Sequence, residues 1–373
     1  MNQAAPAIRP PPQTGDKGLV VVIDGNIDHR RQVAAALSPF YRVACFAHLD
    51  PALPEIVRLT PRVALIDEAA LPRGGADPIR ILRNALPGLL VVSTLKRSGP
   101  ISGLGVGEAD ACLEKPYRRS TLLRTISGLV NRSVEAGWAD LPAQCRESLQ
   151  RTVEAFNALS SQIESGEPLA YGTLRDACTP LVGAVRNQDF KLILENVRGH
   201  DNYSYVHSMR VATLLSLFGH TVGLSPDDLA VLASGGLVHD IGKMSIPHEV
   251  LNKPGRLDEK ELAVMRSHVR LSVDYLSRRE GLPRGVIVIA EQHHEKLCGT
   301  GYPRGLKGGE LNELARMAAI VDIFSALTDR RVYKEPMAPE KALALMGEQM
   351  ADEIDPRLLA LFKDMLLSAV APP

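Results

Sequence analysis

The 373-residue chain lacks net charge, since 43 Lys and Arg stand against 43 Asp and Glu. That balance argues against generic binding to a nucleic-acid polymer or an anionic membrane, and leaves room only for local basic pockets. No apolar run approaches the ~18 residues of a membrane span, so no span is expected. The first fifteen residues are rich in Pro and Ala with Arg9 as their single charge, and they lack the apolar core of a secretory signal. Cysteine is scarce and scattered: Cys45, Cys112, Cys145, Cys178 and Cys298. An odd set without short-range pairing reads as reduced thiols, not as a disulfide framework. The expectation is a soluble cytoplasmic protein of two domains with a connector.

What is present changes character along the chain. Residues 1–16 carry Pro6, Pro10, Pro11 and Pro12 and are expected to form a flexible tail. From Gly18 onward, short apolar runs end in polar residues: Leu19 to Ile23 before Asp24, Val63 to Ile66 before Asp67, and Leu89 to Val92 before Ser93 and Thr94. Such runs suit strands buried on both faces. Helix-length segments lie between them, Asp28 to Leu37 and Asp77 to Ala85. The alternation predicts a parallel sheet with its polar residues gathered at the carboxyl ends of the strands. Over residues 131–175 the pattern is helical, with Leu149, Val153, Phe156, Leu159 and Ile163 in one stripe. The stripe suits packing on a neighbour, or a linker helix with a coiled-coil dimer contact. After Thr173 only helical signals remain. Ser225-Pro-Asp-Asp228 and Asp258-Glu-Lys-Glu261 read as capped helix starts, and the last 200 or so residues are expected to be all-α.

Within that helical part, His207, His239, Asp240, His268, His293, His294 and Asp322 are isolated polar residues on otherwise apolar helices. Singly, each histidine is more often a core or surface residue; a bundle can also turn all seven toward one centre. The neighbours His239 and Asp240 have a particular use: imidazole and carboxylate can face two sides of a metal centre, the carboxylate bridging two ions. The bland reading of the pair is a capped helix end.

Two resemblances follow from these residues. Asp24, Asp67, Thr94 and Lys115-Pro116 fall in the order seen in bacterial response-regulator receiver domains, so residues 17–130 resemble a receiver. That implies a flavodoxin-like α/β fold, Asp67 as phospho-acceptor, Thr94 and Lys115 as its phosphoryl partners, Asp24 as a Mg²⁺ ligand and a sensor histidine kinase as partner. Gly25 departs from the pattern, because receivers usually carry a second acid there, and the alternative reading is a receiver-shaped dimerisation module that is never phosphorylated. Further on, His239-Asp240-Ile-Gly-Lys243, Ile246-Pro247, Leu251 to Gly255, His268, His293-His294-Glu295, Gly299-Thr-Gly-Tyr-Pro303, Val321-Asp322 and Arg331-Val-Tyr-Lys334 look like the HD-GYP family of cyclic di-GMP phosphodiesterases. The match covers about residues 180–370. The implied architecture is multidomain: the receiver-like domain at 17–130, a helical linker at 131–175, and an all-α HD-domain helical bundle at 176–373.

By the HD-GYP resemblance, His207, His239, Asp240 and Asp322 would hold one divalent transition-metal ion. Asp240, His268, His293 and His294 would hold a second. Imidazole and carboxylate donors suit Fe or Mn, and also Ni, Co or Zn. Tyr203 stands where some members carry a third-metal Glu, so two ions are expected. Lys243, Arg331 and Lys334 would contact the phosphates of cyclic di-GMP, and Tyr302 would stack or hydrogen-bond in the Gly299–Pro303 loop. Asp240 and Lys243 would act in catalysis. Ser325 replaces a more usual Asp. The implied activity is hydrolysis to pGpG or on to GMP, by a homodimer; a catalytically weak cyclic di-GMP sensor acting through a protein partner is the alternative.

Overall fold

The computed structural model describes residues 18–67, 70, 77–96, 108–165, 170–253, 255–278, 281–329 and 336–370. The chain divides into two compact units, Met1–Gly137 with Gly199–Asp201, and Trp138–Arg198 with Asn202–Pro373.

The first unit runs β1 (Leu19–Ile23), α1 (Ile27–Leu37), β2 (Arg42–Phe46), α2 (Leu49–Leu59), β3 (Val63–Asp67), α3 (Pro78–Ala85), β4 (Leu90–Lys96), β5 (Ala111–Lys115) and α4 (Arg119–Gly137). The five strands pair in parallel in the order β2-β1-β3-β4-β5. Alternation along β1 explains both layers. Val20 and Val22 face a core closed by Val33 and Leu37 of α1 and by Leu122, Ile126 and Leu129 of α4. Val21 and Ile23 face a second core under Leu49 and Ile56 of α2 and Ile79 and Leu82 of α3. A strand buried on both faces must be apolar at every position, and β1 is.

The second unit is helical: α5 (Ala143–Ser165), α6 (Tyr171–Arg186), α7 (Phe190–Val197), α8 (Tyr203–Thr221), α9 (Pro226–Val238), α10 (His248–Leu251), α11 (Glu259–Ser277), α12 (Arg284–Gln292), α13 (Glu313–Thr328), α14 (Pro339–Gln349) and α15 (Pro356–Val370). Ser225 caps α9, and Asp258 and Glu261 form a reciprocal capping box at α11, as the sequence pattern requires. The α5 stripe is covered within this unit. Phe156 meets the Tyr205 ring edge-on at 5.6 Å, and the Tyr205 hydroxyl donates to the Leu149 carbonyl at 3.2 Å. Among the described residues no helix is long and apolar enough to cross a membrane.

Two glycines let the helices close on the ligand residues. A Cβ at Gly236 on α9 would stand 2.6 Å from the Ala212 Cα of α8. One at Gly242 would stand 2.1 Å from the His268 carbonyl oxygen of α11. Only a residue without a side chain permits either approach.

Candidate metal centre

Five segments of the helical unit converge on one buried cluster. His207 projects from α8; His239 ends α9 and Asp240 opens the 3₁₀ turn Ile241–Ser245; His268 lies on α11; His293 and His294 follow α12; Asp322 lies on α13. The donor atoms fall into two groups, each within 4.8 Å: Asp240 with His268, His293 and His294, and His207 with His239 and Asp322. All seven residues anticipated from the sequence are brought together.

Asp240 stands between the groups. Its Oδ1 faces His268 Nε2 at 3.1 Å and His293 Nε2 at 3.7 Å. Its Oδ2 faces His239 Nε2 at 3.3 Å and His207 Nε2 at 3.8 Å. Asp322 has a similar split: Oδ1 lies 2.9 Å from His207 Nε2, and Oδ2 lies 3.9 Å from His294 Nδ1.

Backbone carbonyls set the tautomers. His239 Nδ1 donates to the Gly236 carbonyl at 2.8 Å, His268 Nδ1 to that of Met265 at 2.7 Å, and His293 Nδ1 to those of Ile289 and Ala290 at 3.1 Å. With Nδ1–H spent in this way, Nε2 is the nitrogen that each ring turns to the cluster. His239 Nε2, His268 Nε2, His293 Nε2 and Asp240 Oδ1 are buried and make no hydrogen bond among the described residues. Buried polar atoms left without a hydrogen-bond partner are unfavourable in a folded protein. A divalent cation satisfies them together, so the residues present fit the implied metal pair.

Electrostatics agree. Burial opposes ionising Asp240, but Lys243 and His239 outweigh it and hold the carboxyl well below its usual range. Asp322 is likewise held low against burial, by the neighbouring His207 and His239 rings. Burial disfavours a charged His239, yet Asp240 and Asp322 raise it to about 10. Burial lowers His293. It also lowers His294 strongly, reinforced by His293. The site thus holds anionic carboxylates beside His293 and His294, whose rings favour the neutral form, and His239, which favours the protonated one.

Residues 192–358 match the HD domain family. This match spans the part of the chain that carries all seven residues of the cluster. Over 164 residues the chain is 38% identical to 3'3'-cGAMP-specific phosphodiesterase 3 of Vibrio cholerae, covering 44% of this chain and 35% of that protein. It is 35% identical over 179 residues to a cyclic di-GMP phosphodiesterase of Pseudomonas aeruginosa, covering 48% and 43%. It is 37% identical over 150 residues to the cyclic di-GMP phosphodiesterase response regulator RpfG of Xanthomonas campestris pv. campestris, covering 40% and 39%. The chain spans less than half the length of each of these relatives.

Around the seven-residue cluster the structure adds residues that sequence reasoning missed. Asp329, the residue after α13, is buried; it faces His207 Nδ1 at 3.2 Å and ion-pairs with Arg210. A carboxylate behind a ligating imidazole orients the ring and raises its basicity. Buried Glu295 accepts the Arg304 and Leu306 amides at 2.6 and 3.0 Å and so shapes the loop that carries Tyr302. The Tyr302 ring lies 4.7 Å from His294, with the Arg266 guanidinium 5.0 Å from its centroid. Burial, then the Asp240 and Asp322 charges, raise the Tyr302 phenol, which stays protonated. Lys243 ion-pairs with Asp240 at the rim of the HD cluster. The Tyr203 ring lies nearly parallel to the His207 ring at 6.0 Å and supplies no carboxylate. Ser325 is fully buried on α13, its hydroxyl making no hydrogen bond among the described residues. Arg331 and Lys334 lie outside the described residues.

The first unit gathers a second polar cluster at the carboxyl ends of its strands. Asp67 and Thr94 are register partners on β3 and β4, and the Thr94 hydroxyl donates to Asp67 at 2.5 Å. Lys115 ion-pairs with Asp67 and lies 3.8 Å from Asp24. His29, unremarked in the sequence pattern, joins them by pairing with Asp24.

Proposed function

We propose that the chain is a metal-dependent phosphodiesterase that opens cyclic di-GMP to linear pGpG or carries it on to GMP, under the influence of a partly degenerate, flavodoxin-like receiver domain. The observation that carries this reading is the split of Asp240, one carboxylate oxygen toward His268 and His293 and the other toward His239 and His207. His207, His239, Asp240 and Asp322 would hold one ion; Asp240, His268, His293 and His294 would hold the other. Fe or Mn suits this donor set, as do Ni, Co and Zn. Such a pair lowers the pKa of water to near neutrality and offsets charge on a phosphodiester.

The chain's own residues supply the rest. Asp240 keeps its proton off and spans both ligand groups. Lys243, three residues on and at the rim, offers an ammonium to a substrate phosphate. Arg331 and Lys334 are proposed as further phosphate contacts. Tyr302, neutral and packed on His294, offers a phenol O–H and a ring face. The HD-GYP relatives named for cyclic di-GMP and for 3'3'-cGAMP support a cyclic dinucleotide as the substrate class. Asp67, with Thr94 and Lys115 around it, is proposed to accept a phosphoryl group from a sensor histidine kinase.

The test incubates Fe²⁺- or Mn²⁺-loaded protein with cyclic di-GMP and with 3'3'-cGAMP and resolves the nucleotides. Linear product from the wild type is expected. Asp240→Ala should show lost turnover and reduced metal; Lys243→Ala should keep its metal and lose turnover. Retained binding without product would favour the sensor reading, for which the acid missing at Ser325 is the motivating feature.

A further inference from the structure

The first unit contains a metal-ligating constellation of its own. Donor atoms of Asp24, His29 and Asp67 all lie within 4.8 Å of one another, and both carboxylates are buried. Asn26 does the local folding. Its side chain caps α1 by accepting the Asp28 and His29 amides at 3.0 and 3.1 Å, while its own amide donates to Asp24 Oδ1 at 2.8 Å. That turn brings residue 29 back over residue 24. With Asp24 Oδ1 engaged by the amide, Oδ2 is the oxygen that faces His29 Nδ1. The far side of the ring is fixed too: His29 Nε2 lies 2.9 Å from the Tyr117 hydroxyl. His29 is thus held by Tyr117 on one ring nitrogen and paired with Asp24 on the other, a contact that an entering ion would replace.

Among the described residues the two buried carboxylates face the Lys115 ammonium, which ion-pairs with Asp67 and stands 3.8 Å from Asp24, while the Arg30 guanidinium donates to the Asp24 carbonyl. The donor set does not suit the Mg²⁺ implied by the receiver resemblance. Mg²⁺ demands near-ideal octahedral oxygen coordination; Gly25 brings no side-chain oxygen, and an imidazole faces the carboxylates instead.

We propose that this pocket binds one divalent transition-metal ion through Asp24, His29 and Asp67, in preference to Mg²⁺. Imidazole with carboxylate selects ions from the Mn–Zn series over Mg²⁺. The receiver-like unit would then respond to the same class of ion as the helical unit, through a separate site on a separate fold.

Stripped full-length protein titrated with Co²⁺ in excess Mg²⁺ tests this. His29→Ala should bind one ion fewer per chain than the wild type, and the same one-ion difference should persist when both chains also carry Asp240→Ala. That second comparison separates this site from the helical centre. His29→Asp should keep the ion but let Mg²⁺ compete for it. In the unsubstituted chain, Co²⁺ should shift the His29 ring resonances while Mg²⁺ leaves them in place, a reading that needs no variant to fold. Equal ion counts with and without His29, or a His29 ring unmoved by Co²⁺, would overturn the proposal.

Discussion

Gly242→Ala asks whether the metal centre depends on one close approach of backbone to backbone. The added Cβ would lie 2.1 Å from the His268 carbonyl oxygen and 2.6 Å from the Ser272 nitrogen, against ordinary contact at 3.4 Å or more. Both neighbours are backbone atoms of α11 and cannot rotate away, so the 240–245 turn must lift by about 1.3 Å. The lift acts on the span between Asp240 Oδ1 and His268 Nε2, now 3.1 Å. Two donors each ~2.1 Å from a shared ion can be at most ~4.2 Å apart. A displacement of that size along this line carries the pair beyond reach of one ion. Overpacking of this kind costs ~1–3 kcal/mol. Weakening the Gly242 amide to Ser272 hydroxyl bond, 2.9 Å long, adds about 1 kcal/mol. The fold should survive with lowered stability, one ion per chain should be lost, and turnover should fall roughly 10²-fold or more. Metal analysis, denaturant titration and the nucleotide assay on one preparation measure all three. Ser272→Ala is the control, since it removes the hydrogen bond without the clash and should keep both ions. Full metal content and wild-type turnover in Gly242→Ala would refute the reasoning.

Two further outcomes follow from the same geometry. Asp329→Asn removes the charge behind His207 and leaves the buried Arg210 guanidinium without its carboxylate. Metal affinity should drop ~10–100-fold and stability by roughly 3–5 kcal/mol; unchanged affinity in a metal titration would remove Asp329 from the centre. The second outcome concerns protons. His239 is raised to about 10 by Asp240 and Asp322 against the effect of burial, so in stripped protein at pH 7 its ring is protonated. An ion at Nε2 must displace that proton, because Nδ1–H is committed to the Gly236 carbonyl. Loading should therefore release protons, and affinity should rise with pH toward 10, about tenfold per unit for each proton released. Calorimetry in buffers of different ionisation enthalpy counts them, and none released at pH 7 would contradict the His239 environment.

How far the fold could be read from sequence tracks burial. β1 and β3 show as uninterrupted apolar runs because both of their faces are covered. β2 and β5 are the edges of the sheet. They are half-exposed, and Arg42, Glu114 and Lys115 dilute their apolar signal, so no run marked them. Residues 131–175 read as one helical stretch. The structure instead ends α4 at Gly137 in the first unit and starts α5 at Ala143 in the second. Helical periodicity reports that a face is covered, and says nothing of which unit covers it.

The site divides along a chemical line. Only a few residue types can ligate a transition metal, so His207, His239, Asp240, His268, His293, His294 and Asp322, the proposed ligands, stand out in the sequence by type. Their orientation is another matter. Three of the rings are turned by carbonyls of Gly236, Met265, Ile289 and Ala290, and every residue has a carbonyl. That part of the supporting shell has no residue signature and becomes visible only once the helices are in place. The same reasoning accounts for His29, five residues from Asp24. Nothing marks it until Asn26 turns the chain and the ring meets the carboxylate. Asp329 is intermediate: its type was constrained by Arg210 and His207, but both partners lie more than a hundred residues away. Where the supporting contact is a side chain, substitution should move metal affinity directly. Where it is a carbonyl, only a displacement of the helix itself can do so, and that makes Gly236 and Gly242, where helices touch without side chains, sensitive positions.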